Sequence, residues 1–139
     1  MAENMSRPDE RSDSRERALY LLYEAHSKGI SPSDALSLQV LEPDEMTIDL
    51  VKGVEAKSDQ LDAAIAAKAK GWTLARMPVL DLNVLRLGAF ELSERPEVPV
   101  AVVLDEAVTL AKRFSTDDSG KFVNGVLSAL VPSLRTDQA

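Results

Sequence analysis

Apolar residues recur at three- and four-residue intervals along most of the chain, the period of α-helices buried on one side. Residues 1–12 are the exception: they show no apolar period, alternate in charge and contain Pro8, and they predict an unstructured arm. Asp13 has Glu16 three residues on, the spacing of a capping box, and Ala18, Leu19, Leu22 and Ala25 follow as one apolar face ending before Gly29. Ser31-Pro32-Ser33-Asp34 supplies a cap, a first-turn proline and an early acid for a second helix to about Val40. Pro43-Asp44 restarts the chain, and Met46, Leu50, Val51 and Val54 give a third helix to about Lys57.

Ser58-Asp59 opens a fourth helix, with Leu61, Ile65 and Ala69 inward and Gly71 at its C-terminal end. Trp72 to Pro78 reads as a short irregular turn. From Val79 to about Ser93 the apolar residues leave little polar face, which predicts a central helix packed on several sides. Pro96 and Pro99 bracket a break. The following valine-rich run has strand-like composition, but Pro99 suits a first helical turn and Val103, Ala107, Val108, Ala111 and Phe114 keep helical spacing. A polar loop at Ser115–Ser119 precedes a last helix that turns Phe122, Val123, Val126, Leu127 and Leu130 inward and ends before Pro132. The expected fold is all-α, a seven-helix bundle in a single domain over residues 13–132, followed by a flexible tail at 133–139.

Composition narrows the chemistry. The 139 residues include no cysteine and one histidine, are 45% hydrophobic and carry a formal charge of −7. That is enough apolar material for a core, and it excludes a thiol nucleophile, a disulfide scaffold, a cysteine-based metal site and paired-histidine metal motifs. No apolar run reaches the roughly 18 residues of a membrane span, and the polar start is unlike a secretory signal, so a cytoplasmic protein without membrane contact is expected. Residues 1–28 hold five basic against six acidic groups, and the remainder eleven against seventeen. Phosphate binding must therefore come from a local patch and not from the overall field.

Few residues offer reactive chemistry. His26 closes the first helix beside Lys28, where a cation suits the helix dipole, and no nucleophile or acid is spaced to use it. Asp105 and Glu106 are adjacent on a helix and point about 100° apart, so they do not converge. Asp117 and Asp118 read as capping residues. Ser119-Gly120-Lys121 lacks the spacing of a phosphate loop. Lys121, in the first turn of the last helix, reads either as an ordinary exposed lysine or as part of an anion site shared with free amides. Arg11, Arg15 and Arg17, interrupted by Asp13 and Glu16, read either as a salt-bridged helix end or as an RNA site. No catalytic residue, metal ligand or cofactor is expected.

The segments GWTLARMPVLDLNVLRLGAFEL, VPVAVVLDEAVTLAKRFSTDDSGKFVNGVL and RERALYLLYEA resemble those of the bacterial transcription antitermination factor NusB family, and the likeness extends over nearly all the chain after residue 10. The resemblance implies a seven-helix fold and binding of boxA-type single-stranded RNA as a heterodimer with ribosomal protein NusE. It also implies joining the RNA polymerase elongation complex, in support of processive transcription of ribosomal RNA operons. Carried over by position, RNA contacts fall on Arg11, Arg15, Arg17, Lys112, Arg113, Lys121 and Phe122, gathered into one surface. Phe122 reads as either a base-stacking or a core residue. The partner surface falls around the fourth to sixth helices, at Asp81 and, more weakly, Arg76 and Trp72. The family's dense basic opening is here the acid-diluted Arg-Ser-Asp-Ser-Arg-Glu-Arg, which implies that NusE supplies part of the RNA affinity. An adaptor with weak or lost RNA binding is the alternative reading, and a homodimer through the apolar fifth helix stays open.

Overall fold

The computed structural model describes residues 8–135, and among them are seven α-helices and no strand. The chain forms two compact units, one up to Glu55 and one from Ala56 onward.

The first unit holds α1 (Pro8–Lys28), α2 (Pro32–Ser37) and most of α3 (Glu45–Ala56). α1 is already helical at Pro8, the first described residue, five residues before the predicted Asp13. Residues 8–12 of the predicted arm are thus helical, and residues 1–7 lie outside the described residues. Ala18, Leu19, Leu21, Leu22 and Ala25 are all buried. Gly29, at φ 67°, ends α1 where predicted: the Ile30 amide donates to the Ala25 carbonyl (3.0 Å), a closure that needs a left-handed residue between them. α2 opens on Ser31, whose side chain accepts from the Asp34 amide, but stops at Ser37 and not near Val40. The Ser37 hydroxyl and the Gln39 amide donate to the Asp34 and Ala35 carbonyls (2.8 and 3.0 Å), satisfying the helix end early.

Asp44 fastens the start of α3 to α1. Its carboxylate accepts from the Ser14 hydroxyl (2.6 Å) and the Thr47 hydroxyl, and the Ile48 amide donates to its carbonyl (3.1 Å). Burial raises the Asp44 pKa, but hydrogen bonds from Ser14, Thr47 and the backbone outweigh it, so the carboxyl titrates below its ordinary 3.8. A group depressed in the folded state adds stability above its unfolded pKa, and that stability is lost as pH falls through the folded value. Asp44→Asn is expected to cost about 1 kcal/mol at pH 7. In denaturant titrations the gap between variant and parent should narrow as pH falls below the ordinary 3.8 and through the folded value; a gap independent of pH would contradict this role.

The second unit holds α4 (Ser58–Lys68), a 3-10 turn at Leu74–Arg76, α5 (Val79–Glu94), α6 (Val100–Phe114) and α7 (Asp117–Leu134). α5 is central, as its composition predicts: it packs against α4, α6 and α7, and Val84, Leu85, Leu87, Ala89, Phe90 and Leu92 are buried. Gly88 sits where α7 comes close, since a Cβ there would lie 2.7 Å from Leu127 Cδ1. Arg86 joins α5 to α4 through a two-pronged bond to Asp62 (2.8 and 2.9 Å), and its third prong donates to buried Asn83 (3.0 Å).

α7 continues past the predicted stop at Pro132 to Leu134. The proline removes one amide donor near a helix end whose exposed face, with Ser128 and Pro132 both at the surface, lets water take the deprived carbonyl. Arg135 follows and is 2% exposed. Its guanidinium donates to the carbonyls of Leu92 (2.8 Å), Glu91 (3.0 Å), Arg95 (3.0 Å) and Val98 (2.7 Å), closing the C-terminal end of α5. The expected flexible tail is therefore helical at Ser133 and Leu134 and anchored at Arg135; residues 136–139 lie outside the described residues.

Candidate nucleic-acid interface

The corner between α6 and α7 gathers the second unit's predicted RNA residues. α6 ends at Phe114 with Lys112 and Arg113 in its last turn, where cations meet the negative end of the helix dipole. Thr116 caps α7 by accepting from the Ser119 amide (3.0 Å), and buried Ser119 donates to the Ser115 hydroxyl (3.0 Å), so the two-residue connection is held from within. α7 starts at Asp117, so Lys121 is its fifth residue and not a first-turn residue. The positive helix end is already faced by Asp117 and Asp118, which removes the argument for an anion held there by free amides.

Gly120 is what lets Lys112 approach α7. A Cβ at this position would sit 2.8 Å from Lys112 Cγ and 3.2 Å from its Cε. The Lys112 stem thus lies against α7 at Gly120, one residue before Lys121 in the chain, and both lysines are exposed. Arg113 stacks its guanidinium over the Phe114 ring at 5.1 Å. The corner holds three cations against two carboxylates, Asp117 and Asp118, a local positive excess in a chain of net charge −7. The sequence signal for this approach was a glycine inside a helical pattern, which costs helix stability unless another group needs the space.

Phe122 is half-buried and meets Trp72, with ring centroids 5.8 Å apart and planes tilted by 58°. It is thus neither a core residue nor a freely presented ring. Trp72, expected on a protein interface, stands instead against a predicted RNA residue and keeps 48% of its surface exposed. Gly71, at φ 81°, turns the chain after α4, and the Trp72 amide donates to the Ala69 carbonyl (3.0 Å).

In the first unit the three arginines separate. Arg15 is 3% exposed, which corrects its expected place on an RNA-facing surface: it stands three and four residues before Ala18 and Leu19, on the buried stripe of α1. Arg17 donates to the Leu41 carbonyl (2.7 Å), holding the connection after α2 to α1. It lines a groove of about 370 Å³ whose other walls include Asp13, Glu16 and Glu24, so its charge is set among carboxylates. Arg11 is half-exposed.

Of the three residues expected on a partner surface, Arg76 and Trp72 are exposed, while Asp81 is 4% exposed. Its spacing explains this: Val84, Leu85 and Gly88, three, four and seven residues on, are all buried. Asp81 Oδ1 makes no hydrogen bond among the described residues. His26 is exposed, and no group of three or more acidic or histidine side chains among the described residues is placed to hold a metal ion. No helix among them is long and apolar enough to cross a membrane.

Known proteins resemble this chain along most of its length. The model of the NusB family matches residues 12–132. The transcription antitermination protein NusB of Streptomyces avermitilis is 45% identical over 141 residues, covering 93% of this chain and 98% of that protein. Its namesake from Saccharopolyspora erythraea is 48% identical over 126 residues, covering 86% and 85%. Among solved structures, T. maritima NusB superposes with a TM-score of 0.82 at 28% identity, covering 92% of this chain and 95% of that one. A chain from a complex of antitermination factors NusB and NusE with dsRNA superposes with a TM-score of 0.75 at 25% identity, covering 88% and 96%. Seven helices among the described residues, and relatives matched along nearly their whole length, lead to one conclusion: this chain belongs to the NusB family.

Proposed function

We propose that this chain is a cytoplasmic transcription antitermination factor that binds boxA-like single-stranded RNA together with ribosomal protein NusE. In that complex it joins elongating RNA polymerase and supports processive transcription of ribosomal RNA operons. The observation that carries the reading is the α6–α7 corner, where the Lys112 stem lies against Gly120, next in sequence to exposed Lys121, in an otherwise acidic chain. Lys112, Arg113 and Lys121 would contact phosphates and Phe122 a base. The complex of NusB, NusE and dsRNA among its structural relatives supports both partners.

The burial of Arg15 and the engagement of Arg17 favour a second reading, an adaptor whose own RNA binding is weak and whose partner contacts, at Arg76 among others, do most of the work. One titration separates the two. Labelled boxA RNA and a scrambled sequence are measured with this protein alone, with NusE alone and with both. The first reading expects the pair to prefer boxA and to bind it at least tenfold more tightly than either protein alone. If scrambled RNA bound equally in every condition, that reading would be wrong. If NusE bound this protein and RNA changed nothing, the adaptor reading would stand.

A further inference from the structure

We infer that Trp72 is a nucleobase-binding face: an unpaired base of a single-stranded RNA stacks on the exposed side of its indole ring. The inference rests on the RNA-binding reading and assigns to RNA a residue expected on a protein interface.

Three observations carry it. First, the ring is presented and not packed away: Trp72 is 48% exposed although tryptophan is among the side chains with most to gain from burial. Second, the ring is held in place. Phe122 meets it at 5.8 Å with the planes tilted by 58°, a ring contact that braces the indole. The turn beneath is fixed by Gly71 at φ 81° and by the Trp72 amide donating to Ala69. Third, charge for the backbone is at hand: Phe122, the supporting ring, directly follows Lys121, and Lys112 lies on Gly120 just before it. A rigid aromatic face next to lysines is the combination by which single strands are bound, the cations holding phosphate and the ring holding a base without reading its edges.

The same geometry gives a substrate preference. Bases in a duplex are stacked on each other and cannot offer a face to Trp72, whereas a single strand can splay one out. The site therefore takes single-stranded RNA and is passed over by a duplex, even where a duplex meets the lysines through its phosphates.

Trp72 is the only tryptophan in the chain, so the test needs no label on the protein. Single-stranded boxA RNA added to the protein–NusE complex should quench or shift the Trp72 emission, after subtraction of any signal from NusE, and a duplex of the same sequence should leave it unchanged. In parallel, anisotropy of end-labelled RNA reports binding itself. Trp72→Leu keeps an apolar side chain against Phe122 but no aromatic face, and should weaken single-strand binding about 5- to 100-fold. Trp72→Phe should retain most of the affinity. If anisotropy reported binding while the emission stayed constant and Trp72→Leu bound like the parent, the inference would be overturned and the RNA-binding reading would survive. If no RNA bound in any arm, both would fall. An equal emission change with duplex would also overturn the inference, because stacking on a splayed base would not then be the cause.

Discussion

Replacing Arg135 by methionine, which keeps a long apolar stem and deletes every donor, should lower the stability of the second unit by about 3 kcal/mol. For a unit of this size that corresponds to a fall in Tm of about 12–24 °C. Four carbonyls, from Leu92, Glu91, Arg95 and Val98, receive their hydrogen bonds from one guanidinium. Two of them belong to the last turn of α5: Glu91 also accepts from the Arg95 amide (3.0 Å), while the Leu92 carbonyl, four residues before Pro96, has no amide to replace the guanidinium. A charged donor to carbonyls is worth more than a neutral one, and a buried acceptor left without a partner costs more than the mean bond contributes. Arg135→Lys should recover only part of the loss, since an ammonium cannot reach four acceptors with the planar spread of a guanidinium. Removal of residues 135–139 should reproduce the methionine variant. Thermal and denaturant unfolding of the three variants tests this; a Tm within 2 °C of the parent for Arg135→Met would show that the anchor is dispensable.

The second large effect is expected on RNA, with stability left nearly untouched. Reversing both exposed lysines, Lys112→Glu with Lys121→Glu, should weaken boxA binding by the protein–NusE complex about 100-fold near 0.1 M salt. For single-stranded RNA each lost phosphate contact removes about 0.7 from the log–log salt slope, so the double variant should be flatter than the parent by about 1.4. Because both side chains are exposed, unfolding free energy should move by less than about 1 kcal/mol. Arg15→Ala is the contrasting variant. With a side chain 3% exposed, it should destabilise the fold and should not change the salt slope. A double lysine variant with parental affinity and slope would move the RNA surface away from this corner.

Local chemistry was readable where it decides structure by itself. Gly29 and Ser31-Pro32 end one helix and begin the next through backbone conformation and short-range capping, and both fall where the sequence places them. The unbroken apolar character of α5 likewise announced its central place. The misplaced boundaries have a common cause, in that a local signal competed with a satisfied backbone elsewhere. Asp13 has the spacing of a cap, yet the helix had already begun at Pro8; Pro132 is a stop signal, yet Arg135 draws the chain on into a tertiary anchor. At the candidate site the residue types were legible and their presentation was not. Arg15 shares its helical stripe with Ala18, Leu19 and Leu22, a spacing that foretold burial, but counting arginines as charge obscured it. The pairing of Trp72 with Phe122, fifty residues apart, left no local trace.

Gly120 also has a meaning in terms of order. A lysine that is free in solution gives up side-chain entropy of up to about 2 kcal/mol when a ligand fixes it. The Lys112 stem has surrendered much of that freedom before any RNA arrives, because the missing side chain at position 120 lets its methylenes settle against the neighbouring helix. The expense falls on folding, where a helical glycine is less favourable than alanine by about 1 kcal/mol, and the gain is kept for binding. On the RNA-binding reading, the chain is slightly less stable by itself and one charge is already in position for a phosphate.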